Sequence, residues 1–533
     1  MSRQQFSARN NIGKVFTFQK SGSTSSFDPT VNFSSGSRRV SWRINNGSET
    51  TQIAGNNITY TGFTSDSNLR NIELRSNSFK NIFELTMNND NLYGFIDLSE
   101  FDESSFAGGT INLSSNAGIT GITNPQISSS ATSMSNYNLN NCNLIGNLDM
   151  MPISGNISSF LAHTNSNLTS ITFSNTTNIT GQFAAYNCNL IGNFDISMIN
   201  VTNFFNVNSN SSLTQITHNP IGSNIATYQA ANCNLTGLHD MSMISGLSFC
   251  WLWGNSNLTG ITHAYSNSNF TQYWVSSCNL IGNHNLSMFP NLGGYFNISA
   301  NNNLTGITHT ASTRTFNNYI AGPGLVGNLD LSMLSGLGGR IEINSNTNLT
   351  GISFPVSSSQ PINGLEIKSC NINGTLDLTG FSYLGSASSA ITYPFQFQSN
   401  LNLSNILFPN GGGYLKNQGN NAINAVMGMY SCNLGYVDFK PLSGCTLISG
   451  VTEGIPRFEL YNNSMTTADV NHILSDFDLI SNLNYSGWTS TSGTSSGYID
   501  ISLNSAPDGS SGGYNGTGAT INLISKGWTI ITD

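Results

Sequence analysis

Residues 233–280 read CNLTGLHDMSMISGLSFCWLWGNSNLTGITHAYSNSNFTQYWVSSCNL. The string Cys-Asn-Leu occurs at Cys233 and again at Cys278, and between them lies Asn255-Ser-Asn-Leu-Thr-Gly-Ile. Each of these anchors follows two apolar residues two apart and precedes another, as in Tyr273, Val275, Cys278 and Leu280. Working outward, the anchors form the series Asn116, Cys142, Asn165, Cys188, Asn210, Cys233, Asn255, Cys278, Asn301, Pro323, Asn346, Cys370, Asn400 and Cys432, advancing by 22 to 32 residues. Apolar residues at alternate positions mark a short strand with one buried face. One such coil cannot bury that face alone, but stacked coils share a core and a parallel sheet. The series therefore predicts a solenoid of fourteen coils.

The pattern resembles the leucine-rich repeat, in which a strand and an Asn- or Cys-stabilised turn recur every 20–29 residues. The resemblance covers roughly residues 70–533. It implies a leucine-rich-repeat solenoid with a parallel β-sheet on the concave face. Turns and short strands are expected on the convex face, where Gly-Asn-Leu-Asp-Leu-Ser-Met and Thr-Gly-Ile-Thr-His are too rich in Gly, Ser and Asn for a helix. The anchors read as a structural ladder. A buried Asn is expected to hydrogen-bond the backbone of its own and the next coil, and Cys to fill the same slot as a small buried group.

The ends differ from the middle. Residues 1–70 hold Val15-Phe-Thr-Phe18, Val31-Asn-Phe33, Val40-Ser-Trp-Arg-Ile44 and Ile58-Thr-Tyr60, short alternating strands that predict a small N-terminal β region. Their order resembles the start of PKD-like domains. Two template matches, at Leu69, Ile72, Leu74, Asn77 and at Ile82, Leu85, Met87, Asp90, lie too close for both to be regular coils. Residues 71–455 read as the solenoid and 456–533 as a capping region. That cap carries the only expected helices, Thr466 to Leu483 with Thr466 as N-cap, and Gly518 to Lys526 before a Gly527 stop and a final strand. Met465–Asn471 and Ser525–Ile530 resemble the ends of leucine-rich-repeat proteins of Bacteroidetes bacteria and their phages.

Charge narrows the function. The 533 residues include 17 basic and 26 acidic ones, a net charge of −9, with charged residues only 8% of the chain. No basic stripe is available for a phosphate backbone, so nucleic-acid binding is not expected. Nothing approaches the roughly 20 apolar residues of a membrane span, so no membrane insertion is expected. Residues 1–20 contain Arg3, Arg9 and Lys14 but no apolar run, and do not read as a secretory signal; the chain is expected to act with Met1 attached.

Chemistry-bearing rows are few. Cys142, Cys188, Cys233 and Cys278 stand two coils apart, roughly 10 Å, beyond disulfide reach; they read as reduced core thiols. Cys250 fits an inward strand position, and Cys445 has no place in the template. His218, His263 and His309 recur in one string and Asp149, Asp195, Asp240, Asp330, Asp377 and Asp438 in another. Both rows are too widely spaced for one ion, so turn-forming Asp is expected, with no metal and no cofactor; a cation along the Asp row stays open. Glu342 and Glu366, beside Arg340 and Lys368, are the nearest approach to a glycosidase carboxylate pair and read instead as a solvated ion-pair cluster. No catalytic residue is assigned.

The sharper signal is aromatic. Positions two, four and six before each anchor point out of the concave face, and they give Tyr186, Phe204, Phe249, Trp251, Trp253, Gln272, Trp274 and Tyr295. Exposed aromatic clusters mark recognition. The expectation is a non-enzymatic adhesin that contacts host-surface glycan or protein. A phage virion component, a tail fibre or capsid decoration attached to other virion proteins through its N-terminal region, fits best. A bacterial surface or secreted adhesin and a purely structural virion protein are the alternatives. A homo-oligomer is compatible with the repeats but not required by them.

Overall fold

The computed structural model describes residues 14–21, 29–33, 39–45, 50–53, 69–76, 82–101, 106–127, 133–266, 269–385, 394–411, 413–416, 427–448, 457–480 and 497–533. Ile58-Thr-Tyr60, Asn77 and residues 481–483 of the expected first helix lie outside them. The chain is a parallel β-solenoid of about 12 turns, against fourteen counted from the anchors. The steps lengthen beyond Cys370, to 30 and then 32 residues, and the strands there shrink to pairs such as Phe395–Gln396 and Met427–Gly428. Two compact units form, one of Met1–Leu247, Gly254–Asn257 and Ile261–Ala264, the other of Ser248–Trp253, Leu258–Gly260 and Tyr265–Asp533.

In the first unit one long sheet runs in parallel through Ile82–Thr86, Thr110–Asn112, Ser133–Asn138, Gly155–Leu161, Thr177–Ala184, Asn203–Asn206 and Ser223–Gln229. On the opposite side the strands pair in twos, Ile145–Met150 with Asn167–Phe173 and Gly192–Asp195 with Leu213–Thr217. The N-terminal β region closes the start of both sides. Thr30–Phe33 lies antiparallel on Ile82–Thr86, and Lys14–Ser21 antiparallel on Leu92–Asp97 and on Leu69–Ser76. Leu69–Ser76 therefore belongs to the N-terminal sheet, and Ile82–Thr86 heads the ladder. Such capping protects strand edges that would otherwise pair with other chains. Lys20, fully buried, donates from Nζ to the Asp90 carbonyl at 2.6 Å, joining the cap to the first coil.

In the second unit the long sheet runs from Phe249–Trp251 through Phe270–Trp274, Leu292–Asn297, Phe316–Ile320, Gly339–Glu342 and Ile362–Glu366. It continues through Phe395–Gln396, Met427–Gly428, Arg457–Glu459 and Gly497–Asp500 to Trp528–Ile531. Two helices lie near the C-terminus, Thr467–Ile480 and Gly516–Ser525. Thr466 caps the first by accepting the Asp469 N–H at 3.3 Å, while Asp469 Oδ2 takes the Thr466 N–H at 3.0 Å, a reciprocal box. Asn515 caps the second, and Gly527, at φ 87°, ends it.

The anchors fix each turn. The residue before each has positive φ, as at Asn141, Asn187, Asn232, Ser277, Ser345 and Ser431. That region is cheapest for Gly and Asn, which explains the Asn-Cys strings and Gly254 before Asn255; the serines take the same conformation at a higher cost. Asn210 Nδ2 donates to Val207 O at 2.7 Å in its own coil and to Ala185 O at 2.9 Å in the coil before, while Oδ1 accepts the Leu190 N–H at 3.0 Å. Cys233 Sγ donates to Val207 O at 3.3 Å. The side chains thus reach their own and the preceding coil, not the next one: a strand-end carbonyl such as Ala185 O or Val207 O serves the anchor that follows, and in the Asn coils its own anchor as well.

Inward strand positions build a column of rings. Tyr137, Phe160, Phe183, Phe205 and Tyr228 stack in the first unit with centroids 5.1–5.6 Å apart, and Tyr273, Phe296 and Tyr319 in the second at 5.7 and 4.8 Å. Each fully buried ring contributes about 2 kcal/mol through its burial.

Candidate recognition surface

Strand alternation sends Cys250, Tyr273 and Phe296 into the core, where they are fully buried, and turns their neighbours outward. Phe249, Gln272 and Tyr295 are register partners, as are Trp251, Trp274 and Asn297, so the outward side chains stand in rows across three strands. Trp253 extends the patch from the loop after the first strand. All six expected residues of this unit, Phe249, Trp251, Trp253, Gln272, Trp274 and Tyr295, are partly exposed.

Their rings touch. Trp274 is central, with Trp253 stacked at 5.4 Å and 29°, Trp251 edge-on at 6.2 Å and 71°, and Tyr295 tilted at 5.6 Å. Trp251 Nε1 donates to Gln272 Oε1 at 2.9 Å and Trp274 Nε1 to Ser276 Oγ at 2.6 Å, which fixes both indoles. Trp253 Nε1 is screened from water without a hydrogen-bond partner. Rings held in advance lose little entropy on binding. Tyr186 and Phe204 belong to the first unit. Tyr186 stacks on His163 at 4.2 Å and 8°, and Phe204 is the register partner of Gln182 and Thr227.

Alternation also exposes a tyrosine group that the sequence reading overlooked. Tyr430 and Tyr461 stand two residues before Cys432 and Asn463 and stack at 4.5 Å and 8°. Arg457 lies 4.2 Å from the centroid of Tyr498, six residues before Asn504. The signal was present, since these are the positions that yielded Trp253 and Phe249. Beside them burial pushes the Glu459 carboxyl up, with Arg457 opposing and Asp500 adding to the shift.

Between the two aromatic groups lies the ionic cluster. Arg340 contacts Glu342 at 2.6 Å and Glu366 at 2.8 Å, and Lys368 contacts Glu366 at 2.7 Å. Burial pushes the Glu366 carboxyl up, but hydrogen bonds and charge from Lys368 and Arg340 outweigh it and hold it below its ordinary value. A general acid needs the opposite shift.

The histidine row turns inward. Tyr228 OH lies 3.2 Å from His218 Nε2 and 2.9 Å from His239 Nε2, Tyr273 OH 2.5 Å from His284 Nε2, and Tyr319 OH 2.9 Å from His309 Nε2. These imidazoles satisfy phenols of the core; His263 of the expected row is buried, as are His239 and His284 from the neighbouring string, while His218 and His309 are half-buried. The Asp row makes turns: Asp149, Asp195, Asp240, Asp330 and Asp377 each accept at 2.9 Å, and Asp438 at 3.0 Å, from the N–H two residues on. Among the described residues no group of three or more His, Cys, Asp or Glu is placed to hold a metal. All eight cysteines are buried thiols, Cys445 included. Comparison with known proteins finds no matching family model, no similar curated protein and no similar solved structure.

Proposed function

We propose that this chain is a non-enzymatic recognition protein whose tryptophan patch binds carbohydrate on a host surface. One observation carries the reading: Trp251, Trp253 and Trp274 form a preset, partly exposed aromatic group on two neighbouring strands and the loop that follows the first. Indole faces stack on the apolar faces of sugar rings, and the Gln272 amide beside them suits hydroxyl groups. Its coils, with their Asn and Cys ladder, are leucine-rich repeats in this reading, and the particle that displays them is a phage virion.

The test is a glycan-array and host-cell binding assay of the purified chain beside a Trp251→Ala/Trp253→Ala/Trp274→Ala variant that circular dichroism shows to be folded. Binding lost in the variant supports the reading. No wild-type binding, or binding indifferent to the substitutions, removes it. Probing purified phage particles with an antibody to the chain tests the display.

A further inference from the structure

We propose that the outer face of the second unit's long sheet holds one neutral polysaccharide chain at two subsites, the tryptophan patch and a tyrosine subsite formed by Tyr430, Tyr461 and Tyr498. This rests on the carbohydrate reading of the tryptophan patch and adds to it a second site, a chain length and a charge class.

The tyrosine subsite has its own geometry. Tyr430 and Tyr461 stack in parallel at 4.5 Å, and Arg457 packs over Tyr498 at 4.2 Å, so these rings are held as firmly as the indoles. Gln398 occupies the same outward row one strand earlier, and its Oε1 is screened from water with no hydrogen-bond partner. An oxygen that water cannot reach is out of a sugar's reach too, but the side chain is partly exposed, and the open edge of its amide can hydrogen-bond a sugar hydroxyl. From Phe270–Trp274 to Met427–Gly428 the sheet advances six strands, about 29 Å at about 4.8 Å each. A disaccharide cannot cover that distance, whereas a chain of roughly six or more sugars can, and two weak contacts on one chain then multiply.

The ground between the subsites selects the ligand. Its outward side chains include the partly exposed amides Asn318 and Asn344 and the cluster of Arg340, Glu342, Glu366 and Lys368. A protein interface concentrates apolar side chains in one fully buried centre; here the aromatic groups are divided by amides and ions, which suits a hydroxylated chain. Arg340 and Lys368 are engaged by Glu366, and Arg457 stands 3.7 Å from Glu459. Cations already neutralised by carboxylates offer little to a uronate or sulfate, so the chain is neutral.

Affinity electrophoresis tests this, with dextran and galactomannan as neutral probes, alginate as the acidic one, and size-fractionated oligosaccharides of the retarding polymer as competitors. The expected result is retardation by a neutral polymer, weakened about tenfold or more by Tyr430→Ala/Tyr461→Ala and also by Trp251→Ala/Trp274→Ala. Decasaccharides should compete and disaccharides should not. Should the tyrosine variant misfold, Gln398→Met, which keeps the packing and removes the amide, replaces it and is expected to weaken retardation. Full retardation of a folded tyrosine variant or of Gln398→Met, equal competition by short and long oligosaccharides, or retardation by alginate alone overturns the two-site inference and spares carbohydrate recognition by the tryptophans. Retardation by none of the polymers overturns both.

Discussion

His309 Nε2 lies 2.9 Å from the Tyr319 hydroxyl in the core of the second unit, and the two rings meet edge to face at 5.7 Å. At Phe160 and Phe183 of the ring column the facing rings are Phe173 and Phe194, while Phe205 and Phe296 meet the edges of His218 and His309. Where it carries Tyr, a polar partner arrives, His309 for Tyr319 and Asn124 for Tyr137. Tyr319→Phe removes the hydroxyl and leaves the half-buried imidazole nitrogen without it, at a cost of about 1–2 kcal/mol. Tyr319→Phe/His309→Phe should recover part of that loss. A double-mutant cycle by urea denaturation measures the coupling, and simple additivity would show that the pair does not act as a unit.

Acid should weaken the fold through the same histidines. Burial holds His239, His284 and His309 down to about 4 and, with the charge of His239 adding, His218 down to about 3. In the unfolded chain an imidazole takes its proton near pH 6.5. Below that pH the unfolded state binds protons that the folded state does not, so the stability these groups allow is full above about pH 6.5 and falls as the pH drops toward about 4. Each contributes a loss of about 3 kcal/mol across that window. Thermal melts at pH 7.5, 6, 5 and 4.5 should show Tm descending throughout; a flat profile above pH 5 would mean that these imidazoles are protonated while buried.

The ladder makes unequal demands on its members. Asn210 satisfies two carbonyls and one N–H, whereas Cys233 makes one weak bond to Val207 O and a longer one to Ala231 O. The alternation of Asn and Cys follows from this. The Asn coil's Oδ1 serves the Cys coil before it, at Leu144, Leu190 and Leu280. The Cys coil in turn bonds the Asn coil before it through the backbone, Asn143, Asn189 and Asn279 donating N–H to Ile119, Leu168 and Leu258. Asn210→Ala should therefore cost about 2–5 kcal/mol, since it strips the Ala185 carbonyl and the Leu190 N–H of this partner and leaves Val207 O only the weak thiol bond, and Cys233→Ala about 1 kcal/mol. Urea midpoints compare them, and equal losses would contradict this division of labour.

These particulars show what could be read in advance. The anchor spacing dictated a solenoid because every coil repeats the same burial problem, and counting back from an anchor located Trp251, Trp253 and Trp274 on the outer face. The same count was available at Tyr430, Tyr461 and Tyr498. The inward turn of the histidines was harder to see, since it depends on Tyr228, Tyr273 and Tyr319 taking slots that apolar residues fill elsewhere. The antiparallel cap was illegible locally, because Lys14–Ser21 finds its partner in Leu69–Ser76, far along the chain.

The thiols give a further prediction, independent of the ligand. All eight are buried, and burial pushes Cys142, Cys188, Cys370, Cys432 and Cys445 up to about 11 and Cys233 up to about 12. Only the thiolate attacks a disulfide reagent, so these groups are protected twice, by exclusion from solvent and by the scarcity of the anion. Ellman's reagent at pH 8 should find almost no reactive thiol in the native chain and all eight after denaturation. Because Cys142, Cys188, Cys233 and Cys278 sit at the turns of successive coil pairs, modification resolved by residue during a urea titration also reports where the solenoid opens. The turns beyond Cys370, with their longer connections and two-residue strands, should release Cys432 and Cys445 at lower urea than Cys188 and Cys233. Simultaneous release of all eight would instead mean that the coils unfold as one cooperative unit.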